Sequence, residues 1–245
     1  MHVGNANGRK DETMSTYVLI HGAGSDSWYW HLVEPELRAR GHDVVAPDLP
    51  CDDDAAGLRE YTDAVVDALA GHDTGDVVVV AQSLGAFTAP LVCERVPVRL
   101  VILVAAMVPR PDELLGDWWT NTGWEQARRE EAERTGTMPI DMDDPGALFL
   151  HDVPPDVTAE SAHHVRNQSG TPMGERWPLP AWPDVRTRAV LCRDDRLFPA
   201  RFERRVAEER LGITPDEIDG GHLPALSRPK ELAEVLERLR IAATL

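Results

Sequence analysis

Two hydrophobic rhythms alternate along this chain. Short, continuous apolar runs bounded by Gly, Pro, Asp or His read as buried strands. Longer stretches with apolar residues at helical spacing read as amphipathic helices. "TYVLI" (Thr16–Ile20) is a first strand, closed by the turn "HGAGS". "SWYWHLVEPELRARG" has a helical period and stops at Gly41. "DVVAPDLP" (Asp43–Pro50) predicts a second strand and "LREYTDAVVDALAG" (Leu58–Gly71) a helix with Leu58, Tyr61, Val65, Val66 and Leu69 on one face. "DVVVVAQ" is a third strand, "LGAFTAPLVCERV" a helix and "VRLVILVAA" a fourth strand. Strands alternating with helices make βαβ units, hence an α/β protein with a parallel sheet. Strands that are nearly all Val, Ile and Leu fit a sheet covered on both faces.

The rhythm breaks after Pro109. From there to about Arg186 the chain is rich in Pro, Trp, Met and charge. "WEQARREEAERTG" (Trp124–Gly136) predicts a helix, as does "TAESAHHVRNQ", and no strand is visible. The sheet pattern resumes at "TRAVLCRDD", followed by a helix over Ala200–Leu211, a short strand near Ile213–Ile218, the turn "DGGH" and a last helix from Pro229. A core of residues 15–108 and 187–245, with residues 109–186 inserted as a helical lid, follows from this pattern. Residues 1–14 are polar, lack a signal-peptide apolar core and read as a disordered extension, with Met14 an alternative start.

Composition narrows the function. With 245 residues and 42% hydrophobic positions the chain is an ordinary globular protein, and no apolar run approaches the roughly 18–20 residues of a membrane span. A formal charge of −17 argues against a nucleic-acid partner and against anionic membranes. Cys51, Cys93 and Cys192 show no metal or redox spacing and read as free thiols of a cytoplasmic protein. No metal-ligand cluster and no phosphate-binding glycine motif is present, so neither metal nor cofactor is expected.

The chemistry concentrates at strand ends. In "VVVVAQSLGAF" a buried strand runs into a turn that presents Ser83, with small Ala81 and Gly85 two positions to either side. This is the nucleophile-elbow pattern, with Ala in the place of the first Gly. A helix N-terminus beside the serine offers free N–H groups to a developing anion. "HGAG" (His21–Gly24) follows the first strand, so the amides of Ala23 and Leu84 are candidates for an oxyanion hole, with His21 bracing the loop. "CRDDRLFPA" puts an acid after a strand, and "DGGHLPALSRP" puts His222 on a loop. The order Ser83, Asp195, His222 is that of a hydrolytic triad.

These motifs, in this order and at this spacing, resemble the α/β-hydrolase superfamily over nearly the whole chain from Thr16. The resemblance implies about six mostly parallel strands flanked by helices, without the antiparallel edge of longer members. It selects Asp195 over Asp194 as the acid, with Asp194 the alternative. "VLIHGAGSDSWYW" and "LVAAMVPRP" look most like the branch of small methylesterases and plant hydroxynitrile lyases. Lyases of that branch carry Thr where this chain has Gly22, and Lys where Leu223 follows His222. Both departures favour ester hydrolysis.

The expected activity is therefore cleavage of a small or medium apolar ester by a monomer or homodimer. The same triad also serves C–C bond hydrolases, thioesterases and lactonases, and the same body can serve as a small-molecule receptor. Gly22, Met107, Trp118, Trp119, Trp124 and Leu223 are candidates for the pocket wall. Arg110, Arg128, Arg166 and Arg176 are candidate carboxylate anchors, with solvated helix faces the plainer reading.

Overall fold

The computed structural model describes residues 14–244; the expectation for the N-terminal extension lies, apart from Met14, outside the described residues. Six strands form one parallel sheet: β1 (Thr16–Ile20), β2 (Asp43–Val45), β3 (Val77–Gln82), β4 (Val98–Val104), β5 (Arg186–Cys192) and β6 (Asp216–Ile218), in the order β2-β1-β3-β4-β5-β6. Side chains alternate along each strand, and the alternation sorts them into two cores. Val18, Ile20, Val79, Ala81, Val101 and Leu103 face one way. Tyr17, Leu19, Val78, Val80, Ile102 and Val104 face the other. Each such side chain, buried from water, contributes on the order of 1.5–3 kcal/mol.

Helices cover both faces. α1 (Glu34–Arg38) comes first, then α2 (Leu58–Ala68) and α3 (Ala89–Cys93). α4 (Trp118–Asn121), α5 (Trp124–Thr135), α6 (Pro145–Phe149) and α7 (Pro155–Ser161) lie in the segment between β4 and β5. α8 (Ala200–Leu211), α9 (Pro224–Ser227) and α10 (Pro229–Ala242) follow. Leu58 and Tyr61 of α2, Phe202 and Val206 of α8, and Trp118, Leu148 and Trp177 of the inserted segment share the first core. Leu37 of α1, Ala225 of α9 and Leu232 and Leu236 of α10 share the second.

Several elements are shorter than their pattern predicts, and proline is the recurring cause. The stretch after Ser27 is a 3-10 turn (Ser27–Trp30) and then α1, which restarts with Pro35 in its first turn. β2 ends at Val45, before Pro47, which has no N–H for the ladder. The helix after Ser83 is a 3-10 turn (Ser83–Phe87) followed by α3, with Pro90 in its first turn. β6 starts only after Pro215. The helix expected over "TAESAHHVRNQ" ends at Ser161, and the chain beyond it pairs with the β1 loop instead.

Because all strands are parallel, their carboxyl ends share one rim. The loops after β1, β3, β4, β5 and β6 carry Ala23, Ser83, Met107, Asp195 and His222 to that rim.

Candidate active site

The elbow is built by close packing. Ser83 has φ +50°, a conformation that costs a non-glycine residue on the order of 1–3 kcal/mol. Its carbonyl accepts the amide of Met107 at 3.1 Å, which ties the turn to the end of β4. Gly85 is required two residues on: a Cβ there would lie 2.7 Å from the His21 carbonyl oxygen and 3.0 Å from Ile20 Cγ2. Strand and turn nearly touch, and the serine is pushed above the rim.

His222 meets it there. Its Nε2 lies 3.1 Å from Ser83 Oγ, and its Nδ1 lies 2.7 Å from Asp195 Oδ2. An ionised carboxylate only accepts, so Nδ1 carries the proton and Nε2 is left to accept from the serine hydroxyl. The other Asp195 oxygen accepts the amides of Leu197 (2.8 Å) and Phe198 (2.9 Å). All three side chains are buried. Asp194 does different work: it accepts the Gly220 amide at 3.1 Å and so fixes the histidine loop. That loop is also held by Asp152, which accepts the Gly221 amide at 2.9 Å, and by Gln82, whose Nε2 donates to the His222 carbonyl at 3.1 Å. Phe198 and Phe149 lie against the imidazole, with ring centroids 5.0 and 5.5 Å away.

Beside the serine, Ala23 and Leu84 line the same cavity. Leu84 sits in the first turn after β3, where N–H groups have no intrahelical acceptor. Ala23 lies in the loop after β1, and among the described residues nothing accepts its N–H. His21 is fully buried; Leu49 N donates to its Nε2 at 3.0 Å, so Nδ1 carries the proton and donates to the Gly22 carbonyl at 2.8 Å. Burial lowers its pKa and keeps it neutral for this bracing. Burial also pushes all three thiols up, Cys93 to about 12, so none is a competing thiolate. Behind Asp195, on α8, Glu203 is buried with Oε2 unpartnered among the described residues. Burial first, and then the Asp195 charge, push its pKa well above the carboxylate range. Among the described residues no group of three His, Cys, Asp or Glu could hold a metal ion, and no helix is long and apolar enough to cross a membrane.

A profile of the alpha/beta hydrolase family matches residues 17–235. The chain belongs to the alpha/beta hydrolase family. Norfluorocurarine synthase 1 from Strychnos sp is 24% identical to this hydrolase, with 96% of this chain and 97% of the relative covered. Methylesterase 7 from Arabidopsis thaliana is 25% identical, with 90% and 94% covered. The crystal structure of polyneuridine aldehyde esterase superposes with a TM-score of 0.75 at 19% identity, covering 93% of this chain and 99% of that one, a likeness of fold.

A cavity of about 450 Å³ opens above Ser83 in this hydrolase. Ser83, His222, Ala23, Leu84, Met107, Trp119 and Leu223 line it. Gly22, Trp118 and Trp124 do not. The Gln82 side chain covers Gly22, where a Cβ would lie 2.2 Å from Oε1. Trp118 is fully buried and donates from Nε1 to the Val108 carbonyl at 2.9 Å. Trp124 donates to the Leu197 carbonyl at 2.8 Å and is covered by the Arg128 guanidinium. Both tryptophans pack the inserted segment onto the body. Trp28, Gln82, Phe149, Ser161 and His164 also face the cavity. Met142 and Phe149 were legible only as members of an aromatic and Met-rich insertion, and Trp28 carried no signal beyond its helix-like stretch. No Lys, Arg, Asp or Glu lines the wall among the described residues. Arg166 instead bonds the Leu49 carbonyl at 3.0 Å and pairs with Asp52; Arg176 bonds the Asp112 carbonyl at 2.7 Å; Arg128 bonds the Ile140 carbonyl; Arg110 is exposed.

Proposed function

We propose that this alpha/beta hydrolase is a serine esterase that cleaves an uncharged, small or medium apolar carboxylic ester through an acyl-enzyme. One observation carries the reading: the hydrogen-bond chain Asp195–His222–Ser83 stands at the floor of an apolar cavity with no charged wall residue. The size is in the range that holds a small ligand. Methylesterases and polyneuridine aldehyde esterase among the relatives point the same way.

Ser83 Oγ attacks the ester carbonyl as His222 Nε2 takes its proton. Asp195 holds the imidazole in the Nδ1–H tautomer and stabilises the imidazolium. The Ala23 and Leu84 amides receive the oxyanion, each donor worth on the order of 2.7–4 kcal/mol in the transition state. His222 then protonates the leaving alkoxide, and a water activated by the same nitrogen releases the acid. Residues 109–186 act as the lid: Met142, Phe149, Ser161, His164 and Val165 from this segment wall the cavity opposite the sheet rim. The unpaired cysteines suit a reducing, cytoplasmic setting.

The test is steady-state turnover of p-nitrophenyl esters and of methyl esters of apolar acids, with fluorophosphonate labelling of Ser83. Ser83→Ala should lower kcat by about 10⁶ and abolish labelling. Retention of most of the activity in that variant removes the reading. A stoichiometric burst of alcohol with no further turnover would mark a receptor built on a hydrolase body.

A further inference from the structure

We propose that Gln168, from the inserted segment, is a positioning residue that aims the Ala23 amide at the oxyanion; this rests on the esterase reading above. The argument follows the peptide planes of the loop after β1. In a trans peptide the C=O and the N–H point in opposite directions. The Gly22 carbonyl is drawn inward by His21 Nδ1 at 2.8 Å, so the N–H on the same plane, that of Ala23, points away from His21. It belongs to a residue on the cavity wall.

One hydrogen bond does not hold a peptide plane, because the plane can still turn about its Cα–Cα axis unless its neighbours are held. Here the next two planes are fixed as well, both by the inserted segment. The Gly24 N–H donates to Gln168 Oε1 at 3.1 Å. The Gly24 carbonyl accepts the Arg166 amide at 3.0 Å. Gly24 itself has φ +62°, and a Cβ on it would lie 3.2 Å from the Arg166 carbonyl, so the two backbones pack with no room to spare. Gln168 is held in the matching orientation: its Nε2 donates to the Tyr61 hydroxyl and to the Ser169 carbonyl, each at 3.0 Å, which turns Oε1 toward Gly24. The Ser169 amide bonds the Cys51 carbonyl, anchoring the segment to the body. Three consecutive planes are thus pinned, one by His21 of the same loop and two from the insertion. The amide left over is that of Ala23. A helix running on through residues 162–168 would spend the Arg166 amide on its own backbone and lose this contact.

Gln168→Leu and the shorter Gln168→Asn should each lower kcat ten- to a hundred-fold with KM within about three-fold, since the loss falls on the transition state. A trifluoromethyl ketone, which adds to the serine and forms an oxyanion, should lose affinity in Gln168→Asn by the same factor as kcat/KM. The matching methyl ketone should bind unchanged. A role confined to packing would move KM, thermal stability or both ketones together. Wild-type kcat in Gln168→Asn, or equal losses for both ketones, overturns the assignment. Wild-type protein that neither turns over esters nor takes a fluorophosphonate overturns the esterase reading instead, which separates the two failures.

Discussion

The sheet carries a histidine–carboxylate pair at each end, fully buried at one end and partly buried at the other. At the carboxyl rim His222 Nδ1 lies 2.7 Å from Asp195; at the opposite end His42 Nε2 lies 2.9 Å from Glu237. By residue type and distance the two are nearly the same object. Their surroundings separate them. At His42 the second ring nitrogen accepts the Ser15 amide at 3.3 Å, and Glu237 is also bound by Arg240 at 2.6 Å and by the Tyr17 hydroxyl. Both ring nitrogens of His42 and both carboxylate oxygens of Glu237 are thus engaged within the protein. Burial alone would raise Glu237, but the bonds from Arg240 and His42 prevail and hold it at about 2. At His222 the second nitrogen faces an alcohol on a cavity wall, and the carboxylate is held by two backbone amides, with no Lys or Arg paired to it among the described residues. A saturated pair braces the fold; a pair with one open nitrogen can move a proton.

Substitutions can break this contrast. The largest effect should come from Asp195→Asn, which lets the imidazole take the wrong tautomer: kcat for a p-nitrophenyl ester should fall by about 10⁴ with the fold intact by circular dichroism. A decline of less than ten-fold would equate the two pairs. The mirror experiment, Glu237→Gln, should leave kcat unchanged and lower the unfolding free energy by about 2 kcal/mol in urea titrations at neutral pH. Its pH dependence follows from the sign of the shift. The folded pKa of about 2 lies below the ordinary value, so Glu237 stabilises the protein above roughly pH 4.3 and loses that contribution as pH falls toward 2. The variant should show a flatter acid limb; an unchanged limb rejects the assignment.

The smallest effect has the opposite sign. Glu203 is buried behind Asp195 with its pKa raised, by burial and then by the Asp195 charge. In the folded state it keeps its proton at pH values where the unfolded chain has released it, so it costs stability as pH rises through that window. Glu203→Gln should raise Tm by a few degrees at pH 8 and by less at pH 5. A Tm that falls equally at both would mean that the acid serves as an ordinary packing residue.

Much of the site's scaffold was legible because it is local. Period, proline and glycine mark the strands, and small residues around Ser83 mark a turn where β1 and the elbow nearly touch. The family resemblance pointed to Asp195 over Asp194; in the structure Asp195 faces His222 and Asp194 is turned to Gly220. The cavity wall was less legible. Trp118, Trp119 and Trp124 have similar sequence surroundings, yet only Trp119 reaches the cavity, because the Nε1 groups of the other two are drawn to the Val108 and Leu197 carbonyls. The stretch around Gln168 has helical composition, and the gain from pairing with Gly24 and Cys51 overrides that propensity.

By itself the sequence determined a parallel sheet with both faces buried, a serine on the turn that ends its third strand, and an acid and a histidine at later strand ends. Those features depend on neighbours a few positions apart. Only the tertiary structure decided which histidine–carboxylate pair keeps an open nitrogen, which tryptophans face the cavity, and that the insertion grips Gly24. Each of these depends on which distant backbone groups arrive to satisfy a buried polar atom, and no local pattern encodes that.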